Sequence, residues 1–165
     1  MLLLADAAIH DFKTIREIAY KSWPIAYGSI LSKEQIDYML DLFYSEKTLL
    51  KNLNEKGHRF LLVNEGEVCL GFASYEHNYL NEKCTRLHKI YMLPEAQGKG
   101  AGKLLIEAVE NFAKENHSVV VSLNVNKFNK AISFYKKIGF EVVSEEEILL
   151  EHGYKMEDYK MEKKL

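Results

Sequence analysis

The stretch Pro-Glu-Ala-Gln-Gly-Lys-Gly-Ala-Gly-Lys-Leu-Leu, residues 94–105, puts three glycines into five positions ahead of an apolar, helix-forming run. Glycine gives up chain entropy on folding, so this density points to a need for bare backbone. A strand, a glycine turn and a helix N-terminus together present N–H groups and the positive end of the helix dipole, a layout that holds phosphate. Two familiar phosphate motifs do not fit. A P-loop requires Gly-x-x-x-x-Gly-Lys-Ser/Thr, but Leu104 follows Gly102-Lys103 and Gln97 stands five positions before Gly102. A dinucleotide fingerprint requires Gly-x-Gly-x-x-Gly, and Lys103 occupies the third position after Gly100. A glycine connection without a ligand is the remaining reading of the tract taken alone. The histidines at 10, 58, 77, 88, 117 and 152 show no metal-ligand spacing, so no metal is expected. Cys69 and Cys84 form no Cys-x-x-Cys pair and read as reduced, buried thiols.

Periodicity supplies the elements around the turn. Leu2 to Ala5 reads as a first strand, and Phe12, Ile15, Ile18, Ala19 and Ser22/Trp23 recur at helical spacing after Asp11. Residues 22–31, broken by Pro24 and Gly28, read as an aromatic-rich loop. Ser32 and Gln35 stand in capping-box spacing before a second helix with Ile36, Met39, Leu40 and Phe43 on one face. A third helical piece covers 45–55. The period then changes to two: 58–77 reads as two strands around a turn at Asn64-Glu65-Gly66-Glu67. Residues 85–93 make a further strand that ends at Pro94. An amphipathic helix follows the glycines over about 101–116, with Leu104, Leu105, Ala108, Val109 and Phe112 as its stripe. Residues 118–125 read as a buried strand, 129–139 as a short helix with Gly139 just past its end, and two strands close the chain.

The bulk properties exclude several classes of function. The 165 residues suit one domain, 1–165, with 47% hydrophobic and 28% charged residues. A net charge of -2, with basic and acidic residues interleaved, gives no field for nucleic acid or an anionic membrane. No apolar run reaches the roughly 18 residues of a membrane span. The first residues carry no basic region or cleavage signature, so a secretory signal is not expected. The expected location is the cytoplasm.

Gln97-Gly98-Lys99-Gly100-Ala101-Gly102 resembles the Gln/Arg-x-x-Gly-x-Gly/Ala signature of the GCN5-related N-acetyltransferase (GNAT) superfamily. A second block, residues 129–140, resembles that family's segment in which an Asn and an Ala precede Phe-Tyr-x-Lys-x-Gly-Phe, with Asn129, Phe134, Tyr135, Lys137, Gly139 and Phe140 matching it. The order of elements over nearly the whole chain is also similar. The resemblance implies an α/β fold, mixed α+β: a mostly antiparallel sheet of six to seven strands, about four flanking helices, and a splayed parallel pair that holds the cofactor. It implies an N-acetyltransferase that uses acetyl-CoA as cosubstrate. By position, Gly98 to Lys103, with Gln97, Lys99, Gly100, Ala101 and Gly102, would cradle the pyrophosphate. Ile90, Tyr91 and Met92 would meet the pantetheine arm and the thioester carbonyl through backbone groups. Asn129 would hydrogen-bond the pantetheine, and Lys137 would reach toward the phosphates.

Tyr135 would protonate the departing thiolate, as the family's tyrosine at this position can. The base for the acceptor amine is open: His88 on the cleft strand is favoured, with Glu76 and His77 as alternatives. Trp23, Ile25, Tyr27, Tyr38 and the stretch 146–154 would form the acceptor pocket. Aromatic walls with scattered carboxylates suit a small-molecule primary amine, and the layout loosely resembles the polyamine-acetylating branch. An amino sugar, an amino acid or a protein amine stays open, as does a non-catalytic acyl-CoA-binding module or a homodimer.

Overall fold

The computed structural model describes residues 1–165. Its centre is a seven-stranded sheet in the order β1-β2-β3-β4-β5-β7-β6. The strands are β1 (Leu2–Asp6), β2 (Arg59–Glu65), β3 (Val68–Glu76), β4 (Cys84–Met92), β5 (Val120–Asn126), β6 (Glu141–Leu149) and β7 (Lys155–Lys164). Every neighbouring pair is antiparallel except β4 and β5. The helices are α1 (Phe12–Tyr27), α2 (Lys33–Tyr44), α3 (Glu46–Asn54), α4 (Ala101–Glu115) and α5 (Ala131–Lys137).

The continuous apolar run Phe60–Val63 in β2 follows from a sheet covered on both faces. Phe60 and Leu62 join Phe72 in a core with Phe12, Ile15, Trp23, Leu40 and Leu49 of α1–α3. Leu61 and Val63 join Ala73 and Tyr75 in a second core with Leu105, Ile106 and Val109 of α4 and Tyr135 of α5. The period-two alternation of each strand thus sorts its side chains between two helical layers.

Asp11, whose place before α1 reads as an N-cap, makes no capping bond to that helix and instead accepts from the Ala8 N–H at 2.8 Å, whereas α2 and α3 are capped by serines. The Ser32 hydroxyl accepts from the Gln35 N–H at 3.1 Å, and Ser45 accepts from Thr48 at 3.2 Å. Gly139, just past α5, takes φ 106°, a conformation that favours glycine. A second expectation is corrected. Residues 22–27 are not loop: α1 runs through Pro24 to Tyr27. Proline removes one helical N–H, but Trp23, 4% exposed, is locked between Tyr27 and Tyr44 and holds the last turn in place. Tertiary packing here outweighs the local breaker. No helix is long and apolar enough to cross a membrane.

Candidate active site

β4 and β5 pair only from Cys84↔Val120 to Leu87↔Leu123. From His88 and Asn124 onward the two strands part, and β4 stays attached to β3 through Gly71↔Met92. For a cofactor arm to enter, the sequence leads one to expect the strands to part near Met92 and Asn124, with a bulge or break around 91–94; on β4 the separation begins earlier, at His88. Its cause is a bulge: Ser74 pairs with Lys89 and Tyr75 with Leu87, which leaves His88 as an extra residue on β4. The irregularity therefore lies at His88, not at 91–94, where regular pairing with β3 continues. The parted strands open a cleft of about 540 Å³, walled by both strands, by α1 and α2, and by Asn129 and Tyr135.

At its outer end lies a groove of about 320 Å³ lined by Met92, Pro94, Gln97, Gly98, Gly100, Ala101, Gly102, Lys103 and Phe134. Gly98 and Gly100 take φ 78° and 77°, so the chain turns left-handed twice and leaves this wall without Cβ atoms. Gly100 caps α4 without a side-chain acceptor, so the first-turn N–H groups of the helix face the groove unpaired. A Cβ on Gly102 would stand 3.0 Å from Met92 Cε, so glycine lets α4 close on β4. These features fit a diphosphate. The lysines contribute less than their charge suggests: Lys99 Nζ is 2.6 Å from Glu65 Oε1, and Lys103 Nζ is 3.8 Å from Glu107 Oε1. Lys137 is exposed on the last turn of α5 and lines neither cavity.

Tyr135 reaches the cleft from α5, buried between Phe134 at 5.6 Å and Phe140 at 5.9 Å between ring centres. Burial, with Tyr27 nearby, raises its pKa far above the ordinary value, so the phenol keeps its proton. Asn129 lines the same cleft, and its Oδ1 accepts from the Ala131 N–H at 2.8 Å, which starts α5 and fixes the amide. Ile90, Tyr91 and Met92 also line it. Ile90 and Met92 pack toward α4, whereas Tyr91 lies with α1, its hydroxyl 2.8 Å from that of Tyr27.

Among the three candidate bases, only His88 lines the cleft. His77 is turned to Thr85, with Nδ1 2.8 Å from Oγ1. Glu76 reaches the cleft only through His88, whose Nε2 is 2.9 Å from Glu76 Oε1. A carboxylate there accepts a hydrogen bond from Nε2–H and leaves Nδ1 as the lone-pair side. His58 stacks on His88 at 3.9 Å and stands 3.4 Å from the same carboxylate oxygen. Burial, then Lys89 and Lys56, depresses His58 to about 4; burial, then His58 and the nearby lysines and Arg86, depresses His88 further. Burial raises the Glu76 carboxyl. The donor atoms of His58, Glu76 and His88 lie within 4.8 Å of one another, close enough to be tested as a metal site. His58 Nδ1 has no acceptor to orient it, and Lys56 and Lys89 repel cations from the pair. The cluster suits a neutral, proton-accepting imidazole better than a dication.

In the acceptor region, Trp23, Ile25 and Tyr27 line the cleft as expected. Tyr38 does not; it packs on His152 and Tyr154 at the outer edge, and from the closing hairpin Met156 and Asp158 enter instead of 146–154. Four residues were missed by the sequence reading: Arg86, Lys89, Tyr44 and Asp158. Arg86 donates to Ser122 Oγ at 3.2 Å and Asn124 Oδ1 at 2.6 Å, and Asn124 donates to Glu146 Oε2 at 2.8 Å. This network holds the β5 wall, with Asp158, 4% exposed, beside it. Charged residues inside an otherwise apolar strand were the available signal for Arg86 and Lys89.

The chain is similar to known proteins. The family model described as "Acetyltransferase (GNAT) domain" matches residues 29–163. A protein of Thermoplasma acidophilum named spermidine N(1)-acetyltransferase is 29% identical over 140 residues, 82% of this chain and 85% of that one. An uncharacterized N-acetyltransferase, YuaI, of Bacillus subtilis is 29% identical over 153 residues, 88% of this chain and 84% of its own. Among solved structures, the PaiA N-acetyltransferase of Thermoplasma acidophilum, crystallised with coenzyme A, superposes with a TM-score of 0.84 at 26% identity. It covers 100% of this chain and 99% of its own.

Proposed function

The chain belongs to the GNAT acetyltransferases, and on that premise we propose that its cleft transfers the acetyl group of acetyl-CoA to the primary amine of a small molecule. The observation that carries the reading is the parting of β4 from β5 at His88. That single bulge brings a proton acceptor, a proton donor and a glycine-walled anion groove to one continuous opening.

Gly98 to Lys103 would hold the diphosphate through backbone N–H groups, with Gln97 at the edge of the turn and Lys137 outside it. Backbone groups of Ile90, Tyr91 and Met92, freed from β5, would bind the pantetheine amides together with Asn129. One β4 N–H would steady the oxyanion that forms as the amine attacks the thioester carbonyl carbon. His88 Nδ1 takes the proton that the amine sheds, and Glu76 compensates the charge that His88 gains. As the C–N bond forms and the C–S bond breaks, Tyr135 delivers its proton to the sulfur. Trp23 and Tyr27 form aromatic walls suited to an arriving ammonium. The relative named for spermidine supports a diffusible amine rather than a protein one.

Thiol release from acetyl-CoA across a panel of amines tests this. Release that depends on the amine and matches the N-acetylated product supports the reading. Acetyl-CoA binding without amine-dependent release assigns the fold to a non-catalytic module and overturns it.

A further inference from the structure

Lys89 has no counter-ion. Its ammonium stands 5.6 Å from the centre of the Tyr44 ring, on the α1–α3 side of the cleft. It takes part in none of the protein's ion pairs. The nearby carboxylates are already engaged. Glu76 is shared by His58 and His88, and Asp158 of β7 sits with Asn124 of β5 and Arg86 of β4. Lys56 adds a second positive charge, and burial brings the Lys89 amine down to about 8.

The same corner concentrates unpaired donors. Five buried side-chain polar atoms in the whole protein lack a partner, and two of them belong to side chains that line the cleft with Lys89. Tyr44 Oη lies on the ring beneath its ammonium, and Trp23 Nε1 belongs to an indole packed 5.9 Å from Tyr44. Lys89, Tyr44 and Trp23 can all donate, and buried donors left unpaired are costly. Their shared complement is an anion. A carboxylate matches best, because it brings one charge for one ammonium and lone pairs enough for the neutral donors.

We propose that this corner binds the carboxylate of the acceptor, so that the amine acetylated belongs to an amino acid or similar amino carboxylate, with Lys89 as its counter-ion. The inference rests on the acetyl-transfer reading above. A polyamine would instead drive a second cation against Lys89 and Lys56. An alkylamine would leave the donors unpaired. Lys89 is thus a specificity-determining residue, and it selects through charge on the acceptor rather than through the reacting nitrogen.

The test compares kcat/KM for 4-aminobutyrate, butylamine, spermidine and an aminoalkyl phosphate, in wild type and Lys89→Met. The wild type should favour 4-aminobutyrate over butylamine. In Lys89→Met that preference ratio should fall roughly 10- to 100-fold, the range of a charge-assisted hydrogen bond, mainly through KM. A retained thermal shift with acetyl-CoA shows that the variant is folded. Lys89→Glu should move preference toward spermidine. Wild-type preference for spermidine or for the phosphate overturns the assignment, as does an unchanged ratio in Lys89→Met. Stable acetylation of Lys89 itself, seen by mass spectrometry, also overturns it. If no amine stimulates thiol release, the parent reading fails instead, so the two failures are separable.

Discussion

Removing one oxygen, in Tyr135→Phe, separates chemistry from packing. The ring of Tyr135 is wedged against Phe134 and Phe140, and phenylalanine keeps both contacts. Its hydroxyl faces the cleft and has no hydrogen-bond partner among the protein's side chains, so deletion forfeits no internal bond. Stability should therefore change by less than about 1 kcal/mol. Turnover is different. A positioned general acid is worth roughly 10²- to 10⁴-fold, and a thiolate is a good leaving group, so the loss belongs near the lower end. A fall of about 10²-fold corresponds to about 2.7 kcal/mol of transition-state stabilisation. Because burial holds the Tyr135 pKa far above its ordinary value, the wild type should show no alkaline limb from this group below about pH 10. The assay is steady-state thiol release at saturating acetyl-CoA from pH 7 to 10, with acetyl-CoA affinity measured by calorimetry. Unaltered kcat in Tyr135→Phe would refute the acid role. Loss of acetyl-CoA binding in parallel with kcat would reduce Tyr135 to a wall residue.

Gly71→Ala should damage the cleft from behind, since a Cβ there would stand 2.8 Å from the Tyr91 carbonyl oxygen and 2.8 Å from Met92 Cγ. Displacing β4 should cost about 1–3 kcal/mol and weaken acetyl-CoA binding, both readable by thermal denaturation with and without the cosubstrate. An unchanged melting point and ligand shift would mean that β4 yields freely at that point. His58 should make the fold acid-sensitive. Its pKa drops from the ordinary 6.5 to about 4 on folding, so between those values the unfolded chain binds a proton that the folded chain refuses. The contribution is complete above pH 6.5 and is lost as the pH falls to 4, with a slope of up to about 1.4 kcal/mol per pH unit. His58→Gln should flatten the stability–pH curve over that range; an identical slope would show that the folded protein keeps His58 protonated.

The two motif blocks were legible in the sequence because each follows from local chemistry. Gly98 and Gly100 are needed where the backbone turns left-handed, and Gly139 ends a helix in the same way. Element order and the capped start of α2 were legible for the same reason. What failed to show was set by distant packing. Pro24 reads as a breaker, yet α1 passes through it because Trp23 is fixed by Tyr27 and Tyr44. The acceptor side was hidden by one residue. Strict alternation puts Leu87, Lys89 and Tyr91 on one face, which would bury Lys89 with Leu87 under α4. The His88 bulge slips the register, so Ile90 and Met92 take the α4 face while Lys89 and Tyr91 swing to Tyr44 and α1. Nothing local to residues 84–92 announces that slip. It becomes visible only when β3 is laid alongside. The His58–His88 stack likewise joins residues thirty positions apart, which no spacing rule anticipates.

The account turns on acetyl-CoA entering where β4 leaves β5, and a crystal structure with a non-reacting thioether analogue of acetyl-CoA examines that directly. The diphosphate should lie on the N–H groups of Gly98 to Lys103, and the acyl oxygen should face the main chain of Ile90 to Met92. The sulfur should come within about 3.5 Å of Tyr135 Oη. An analogue bound elsewhere would contradict the account, and so would one whose sulfur is separated from Tyr135 by a closed β4–β5 ladder.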